Sequence, residues 1–285
     1  MTTVKLHSDV IESARRLAPD FYLSALLAPN KVKDDLIALA AFKGTIESIC
    51  FKVSEPLIGD MRLQWWCDWF ETSQGNGQSG NPIADAMASV MARNNLADAL
   101  IQRMLNAQRT HIYSEPVTSL KNVFLDLVNA DGMAFACAAQ ILGEPVTIEL
   151  LMATAAAGRA YGTARMITRL RDHAARGYWP LLGAPGEKSQ NQPAYASSYL
   201  VFDEERRAER RESVDLAIAA ARRQLHHAMT IRDHLPRGLR ALFLPLALVE
   251  PYFKCFESQT GDPLMMRVDI SPLARRWLLW RASWI

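Results

Sequence analysis

The chain has 285 residues, of which 49% are hydrophobic and 22% charged, and its formal net charge is +2. This is an ordinary globular composition, and its near-neutral charge argues against a nucleic-acid partner, which normally meets a far more basic surface. A chain of this length can bury roughly 75% of its unfolded surface, so its core needs no disulfide or metal. Its four cysteines form no CxxC pair and are predicted to be reduced core residues: Cys50, Cys67, Cys137 and Cys255.

The sequence shows no targeting or membrane-spanning signal. Residues 1–10 are polar and lack an apolar stretch typical of a secretory signal. No apolar run reaches the roughly 18 residues that a transmembrane helix needs. We therefore expect a cytoplasmic protein, with a peripheral position at a membrane surface left open.

Apolar residues recur at steps of three and four along most of the chain, which predicts helices and no strand pair. The predicted helices cover residues 34–49, 58–71, 85–113, 120–142, 147–176, 203–234 and 239–257. Two segments rich in Gly, Ser, Pro and Gln, 72–82 and 182–199, are predicted to be flexible loops. Residues 262–285 form an amphipathic tail, and the whole chain, 1–285, is predicted to be one helical bundle.

Several segments, taken in order, resemble one known family. An FY pair followed by LSALLAPNKVKDDLIALAAF spans residues 21–42, and SEPLIGDMRLQWW spans residues 54–66. Residues 158–180 resemble a motif-bearing helix that ends in ARG, and DPLMMRVDISPL begins at residue 262. Together these segments resemble the squalene/phytoene synthase family over nearly the whole chain. The resemblance implies an all-α isoprenoid-synthase bundle around a central cavity.

The resemblance also implies a chemistry that depends on carboxylates. Enzymes of this kind ionise an allylic diphosphate, and Mg²⁺ held by two DxxxD pairs offsets the charge of the departing group. A spacing of four places both carboxylates of a pair on one helix face. At the first motif, the two aspartate positions fall on Glu47 and Phe51, with Ser48 beside them. Only one acid remains there.

The second motif is more strongly altered. Its aspartate positions fall on Arg169 and His173, while Asp172 occupies an inner position. Because an arginine would repel Mg²⁺ at this place, we predict no metal site, no cofactor and no confident catalytic residue. We expect His173 to be a hydrogen-bonded structural residue rather than a general base.

Spacing of four also places Tyr161, Arg165 and Arg169 on one face of the same predicted helix. One interpretation is a cavity wall that holds an anion without metal. The other is internal ion pairing, for example of Arg169 with Glu47 across the cavity.

The tail contains Trp277, Trp280 and Trp284 at helical spacing, with arginines between them. A basic amphipathic segment of this kind can lie on a membrane interface or in a partner groove. It can equally fold back on the bundle, and the sequence does not decide between these arrangements.

The altered motifs and the segments at 54–66 and 262–273 resemble a degenerate branch of the family, which includes a mitochondrial assembly factor of respiratory complex I. The resemblance implies a non-catalytic protein that acts in assembly of a membrane respiratory complex or binds an isoprenoid. The alternative is a prenyl transferase that condenses two isoprenoid diphosphates head to head and requires Mg²⁺. A passive isoprenoid-diphosphate binder is the third possibility.

Overall fold

The computed structural model describes residues 6–73, 78–114, 119–143, 147–181 and 204–284. These ranges contain helices and turns and no strand, which confirms the all-α prediction. The α-helices are α1 Ser8–Leu17, α2 Pro19–Leu26, α3 Asn30–Lys52, α4 Pro56–Ser73, α5 Pro82–Asn94, α6 Asp98–Ile112, α7 Leu120–Leu127, α8 Met133–Ile141, α9 Ile148–Thr168, α10 Leu170–Ala175, α11 Arg207–Arg232, α12 Val249–Glu257 and α13 Pro272–Ala282. A π-helical segment, Val128–Gly132, joins α7 to α8, and 3₁₀ segments span Glu204–Arg206 and Arg237–Leu248.

The predicted single helix over 85–113 is wrong, because two helices lie there. The backbone of Asn95 turns left-handed (φ 48°) after α5, and its N–H donates to the Met91 carbonyl. Asparagine tolerates this conformation better than most residues, so α5 ends before Asn95 and a new helix, α6, begins at Asp98. At the other end, the Asn81 side chain accepts from the N–H groups of Ile83 and Ala84 and caps α5.

The predicted helix over 239–257 also differs from the structure. Its first part is the 3₁₀ segment Arg237–Leu248, which contains Pro245, and only Val249–Glu257 is α-helical. Proline has no N–H for an i→i−4 hydrogen bond and crowds the preceding turn, which disfavours a regular α-helix here.

The predicted loop over 72–82 is shorter than expected at both ends, since α4 continues to Ser73 and α5 begins at Pro82. The predicted loop over 182–199 lies outside the described residues. No helix in the described ranges is long and apolar enough to cross a bilayer.

Helix α9 is the centre of the bundle. It packs against α11, the π segment, α8 and α12. Five of its alanines have no exposed surface: Ala153, Ala156, Ala157, Ala160 and Ala164. Small side chains let neighbouring backbones approach closely, and one continuous apolar core runs from Val10 in α1 to Leu279 in α13. The candidate site lies on the α9 face that meets α3 and the π segment.

Candidate functional site

A cavity of about 40 Å³ lies where α3, α6, the π segment, α9 and α10 meet. It corresponds to the central cavity expected between the two motif helices. Its walls combine charged, aromatic and apolar side chains: Glu47, Cys50, Phe51, Gln108, His111, Leu127, Ala130, Asp131, Gly162, Arg165, Met166, Arg169 and His173.

Three buried charged residues and one partly buried arginine form the cavity cluster: Lys43, Glu47, Asp131 and Arg165. The Lys43 ammonium donates to Glu47 Oε1 and lies 2.7 Å from Asp131 Oδ1. Arg165 Nη1 donates to Glu47 Oε2, and its Nε lies 3.8 Å from Asp131 Oδ1. Two cations therefore neutralise two anions in a place with little access to water.

The backbone geometry around Asp131 explains how this carboxylate reaches the cluster. Asp131 lies in the π segment, which approaches α9 at two glycines, Gly158 and Gly162. A Cβ on Gly162 would lie 2.6 Å from Asp131 Oδ2, and one on Gly158 would overlap the backbone of Gly132. Glycine is therefore required at Gly158, where the contact is with backbone, whereas a larger residue at Gly162 would displace the Asp131 and Leu127 side chains.

The electrostatics of the cluster favour its charged state. Burial disfavours an ionised Glu47, but Arg165, Lys43 and Arg169 outweigh it and lower the Glu47 pKa to about 2. The same carboxylates, with Tyr161, outweigh the burial of Arg165 and raise its pKa above the ordinary value. Because removing one partner would leave a buried charge uncompensated, these ion pairs hold α3, α9 and the π segment in fixed relation.

The carboxylates of this cluster do not fit a magnesium site. Mg²⁺ needs free oxygen ligands in near-octahedral geometry. Both Glu47 oxygens already accept from cationic donors, and Asp131 Oδ1 faces the Lys43 ammonium. Within the described ranges, no three His, Cys, Asp or Glu side chains come close enough together to hold a metal ion.

The structure brings only some of the predicted motif residues to the cavity. Glu47, Phe51, Arg169 and His173 line it. Ser48 points to a different pocket on the other side of α3.

Asp172 is exposed to solvent, so it does not face the cavity. Glu47 was given as a possible partner of Arg169, but in the structure Arg165 forms the ion pair with Glu47. The Arg169 guanidinium lies 5.2 Å from the centroid of the Phe51 ring, in a cation–π contact.

His173 belongs to a buried aromatic group beside the cavity. Its ring centroid lies 4.9 Å from that of Phe51, 5.6 Å from that of His111 and 5.6 Å from that of Tyr178. Burial, followed by His111 and Arg169, lowers the His173 pKa well below its usual value, and burial lowers the His111 pKa to about 4. Both rings are therefore neutral near pH 7. Nδ1 of His173 has no hydrogen-bond partner in the described part of the chain.

Tyr161 was predicted to line a cavity with Arg165 and Arg169, but it is not among the residues that line this one. Its hydroxyl instead donates to Asp20 Oδ2 at 3.1 Å, in a second buried group. The Tyr252 hydroxyl also donates to Asp20, at 3.0 Å, and Arg275 Nε lies 3.0 Å from the other Asp20 oxygen. These four residues form the tail cluster, in which burial raises the Asp20 pKa despite the opposing charge of Arg275.

The tail cluster explains the position of the C-terminal segment. Arg275 belongs to α13, so its ion pair with Asp20 fastens α13 to α2. The tail folds back on the bundle and buries Leu279, yet Trp277, Trp280 and Trp284 remain 57%, 45% and 76% exposed. Their rings contact one another in sequence, with centroid distances of 5.1 and 5.4 Å.

Sequence reasoning missed five residues of the two clusters: Lys43, Asp131, Asp20, Tyr252 and Arg275. A signal for the first two exists, because Lys43 and Asp131 are single charges within otherwise apolar helical segments. Isolated charges in such segments are rarely buried without a partner. No comparable signal marks the tail cluster, whose members are far apart in the chain.

Proteins similar in sequence or fold match nearly the whole chain. The chain is 22% identical over 275 residues to the bovine protein named NADH dehydrogenase (ubiquinone) complex I, assembly factor 6, covering 95% of this chain and 81% of that protein. It is 22% identical over 282 residues to the mouse protein of the same name, covering 96% and 82%. The fold resembles the crystal structure of a dehydrosqualene synthase, with a TM-score of 0.70, 13% identity, and coverage of 96% of this chain and 95% of that one.

The likeness to the dehydrosqualene synthase confirms the isoprenoid-synthase type of bundle. Residues 14–277 match the family described as squalene/phytoene synthase, which is most of the chain. The chain therefore belongs to the squalene/phytoene synthase family.

Proposed function

We propose that this protein does not catalyse prenyl transfer and instead acts in the assembly of a membrane respiratory complex. The observation that carries the proposal is the cavity cluster, in which the carboxylates of Glu47 and Asp131 form ion pairs with Lys43 and Arg165. A prenyl transferase of this family needs such carboxylates free for Mg²⁺. The similarity to proteins named complex I assembly factor 6 supports the assembly role.

The size of the cavity supports the same proposal. Pockets that hold organic ligands measure roughly 300–1,000 Å³, whereas this cavity measures about 40 Å³. Two prenyl chains would have to displace the cavity cluster, and separating its ion pairs would leave several buried charges unpaired.

We assign the exposed tryptophans of α13 to a peripheral contact with the membrane or with a membrane-bound subunit of the complex. Exposed aromatic residues next to arginines suit such a boundary. This assignment is consistent with a cytoplasmic protein that acts at the membrane surface, and it requires no cofactor.

The first experiment tests catalysis directly. Purified protein is incubated with farnesyl or geranylgeranyl diphosphate and Mg²⁺, and we expect no condensed product. Product formation that disappears in Arg169→Ala would overturn the non-catalytic proposal.

The second experiment tests the assembly role. We expect a deletion strain to contain less assembled complex I on native gels and to lose NADH:quinone activity, and the wild-type gene to restore both. Normal complex I in the deletion strain would argue against the proposal. If a Trp277→Gln/Trp280→Gln variant rescues the strain as completely as wild type, the α13 surface is not needed for complex I assembly.

A passive isoprenoid-diphosphate binder is a second candidate, because one cavity cation remains available. Arg169 forms no ion pair with a carboxylate in the described part of the chain, and burial and Arg165 lower its pKa. An anionic headgroup would compensate this charge. Binding of farnesyl diphosphate in the presence of a chelator, weakened by salt and lost in Arg169→Gln, would favour this candidate.

A further inference from the structure

A second pocket, of about 260 Å³, lies between α3 and α4, on the opposite side of α3 from the cavity cluster. Helical spacing separates the two sites: Glu47 and Phe51 face the cavity, whereas Ser48 and Lys52 face the second pocket. Its wall consists of Thr45, Ser48, Ile49, Lys52, Arg62, Trp65, Trp66 and Asn81. We call it the α3–α4 pocket.

Uncompensated positive charge surrounds this pocket. Lys52 and Arg62 line it, and Arg16 on α1 lies close enough to act on Lys52. Partial burial lowers the Lys52 pKa, and repulsion by Arg16 and Arg62 lowers it further. None of these three side chains forms an ion pair with a carboxylate in the described ranges, so the pocket favours an anion.

Hydroxyl groups on α3 add hydrogen-bonding capacity. Thr45 Oγ1 is buried and has no hydrogen-bond partner among the described residues. Ser48 Oγ donates to the Thr45 carbonyl at 2.8 Å and retains acceptor capacity. Because a buried hydroxyl without a partner is unfavourable, an acceptor oxygen in the pocket would satisfy Thr45.

An exposed apolar stripe on α4 adjoins the charged pocket. Leu57, Ile58, Met61 and Trp65 are 65%, 43%, 65% and 41% exposed. Steps of three and four residues through Met61 place them on one face of the helix, and Trp65 belongs to both the stripe and the pocket wall. Cations and a tryptophan bordering exposed aliphatic side chains are the pattern of a surface at a lipid–water interface.

We infer that the α3–α4 pocket binds the phosphate headgroup of an anionic phospholipid while the stripe of α4 rests in the outer acyl region of the bilayer. Lys52 and Arg62 neutralise the phosphate, and Thr45 donates its hydroxyl hydrogen to a phosphate oxygen. A free phosphate would use the cations and leave the stripe exposed, whereas a phospholipid uses both. This inference goes beyond the proposed assembly role and does not rest on the cavity cluster.

The test is flotation of the full chain with vesicles of phosphatidylcholine alone or of phosphatidylcholine mixed with phosphatidylglycerol. We expect binding to the mixed vesicles and little binding to the neutral ones. Lys52→Gln/Arg62→Gln should weaken partitioning about 30-fold, since each cation near an anionic surface contributes roughly a factor of five. The matched control, Arg223→Gln/Lys254→Gln, changes the net charge equally on exposed residues outside the pocket and should bind like wild type.

Two further measurements separate the alternatives. Leu57→Ser/Met61→Ser should also lose vesicle binding while its urea unfolding curve stays close to that of wild type, because both side chains are exposed. Binding of inorganic phosphate, measured by calorimetry and lost in Lys52→Gln/Arg62→Gln, together with no binding to the mixed vesicles, would show a free-phosphate site and overturn the lipid proposal. So would equal binding of the Lys52→Gln/Arg62→Gln variant and the wild type.

Discussion

The cavity cluster and the tail cluster both bury a carboxylate, yet the two carboxyl pKa values move in opposite directions. Glu47 and Asp20 are 5% and 4% exposed, so burial disfavours the charged form of each to a similar extent. Glu47 contacts the two cations Lys43 and Arg165, and its pKa falls to about 2. Asp20 has Arg275 and two tyrosine hydroxyls, and its pKa rises. The number of neighbouring cations thus decides the sign of the shift.

The two clusters therefore have different structural roles. The cavity cluster is a balanced set of full charges that fills the space between α3 and α9, where the family resemblance places diphosphate chemistry. The tail cluster surrounds its carboxylate with one arginine and two tyrosine hydroxyls, and it fastens α13 while leaving the tryptophans of that helix exposed. The cavity cluster therefore fills the interior of the bundle, and the tail cluster positions the exposed surface of α13.

The largest expected effect comes from neutralising the carboxylate with two cationic partners. In Glu47→Gln, Lys43 and Arg165 keep their charges without full compensation, and the free energy of unfolding should fall by about 3–5 kcal/mol. Urea denaturation followed by circular dichroism measures it. The matched control is Asp172→Asn, an exposed carboxylate whose loss should change stability by no more than about 0.5 kcal/mol. Equal effects in the two variants would contradict the comparison.

The pH dependence of stability should distinguish the clusters next. The folded-state pKa of Glu47, about 2, lies below the ordinary value of 4.5. Its stabilising contribution is therefore fully present above about pH 4.5 and is lost as the pH falls toward 2, by about 3 kcal/mol in total. The difference in unfolding free energy between wild type and Glu47→Gln should shrink over this range. A constant difference would contradict the lowered pKa.

The smallest expected effect is at the tail cluster. In Asp20→Asn the amide oxygen still accepts from Tyr161 and Tyr252, so the cost near pH 7 should be about 1–2 kcal/mol. Because the folded-state pKa of Asp20 is raised, protonation favours the folded wild type below that pKa, and this gain is lost as the pH rises through it. The cost of Asp20→Asn should therefore grow on acidification, opposite to that of Glu47→Gln. A cost that shrinks would show that Asp20 is stabilised mainly by Arg275.

The helical fold and most helix positions could be predicted, because burial of one helix face imposes a period on the sequence. The predicted helix boundaries were wrong where a local backbone conformation interrupted that period, as at Asn95 and Pro245. The π segment at Val128–Gly132 could not be predicted, since the apolar residues of α7 and α8 on either side of it fit one continuous α-helix equally well. Asp131 reaches the cavity cluster through this segment, so the most informative carboxylate of the site was missed.

The site was anticipated as a set of positions but not as a set of contacts. Glu47, Phe51, Arg169 and His173 do meet at one cavity, as the helical spacing implies. The choice between Arg165 and Arg169 as partner of Glu47 depends on the break between α9 and α10, where Arg169 leaves helical geometry (φ −114°, ψ 10°). A change of this kind rotates the following side chains, and no pattern in the sequence marks it.

Periodicity and residue type, which are local properties, were enough to predict the all-α bundle and the family likeness. The pairing of charges was decided only in the folded protein, because Lys43, Asp131 and Arg165 come from three segments far apart in the chain. Burial and the number of neighbouring charges are properties of that assembly, and they determine whether a carboxylate binds a metal, a lysine or a proton.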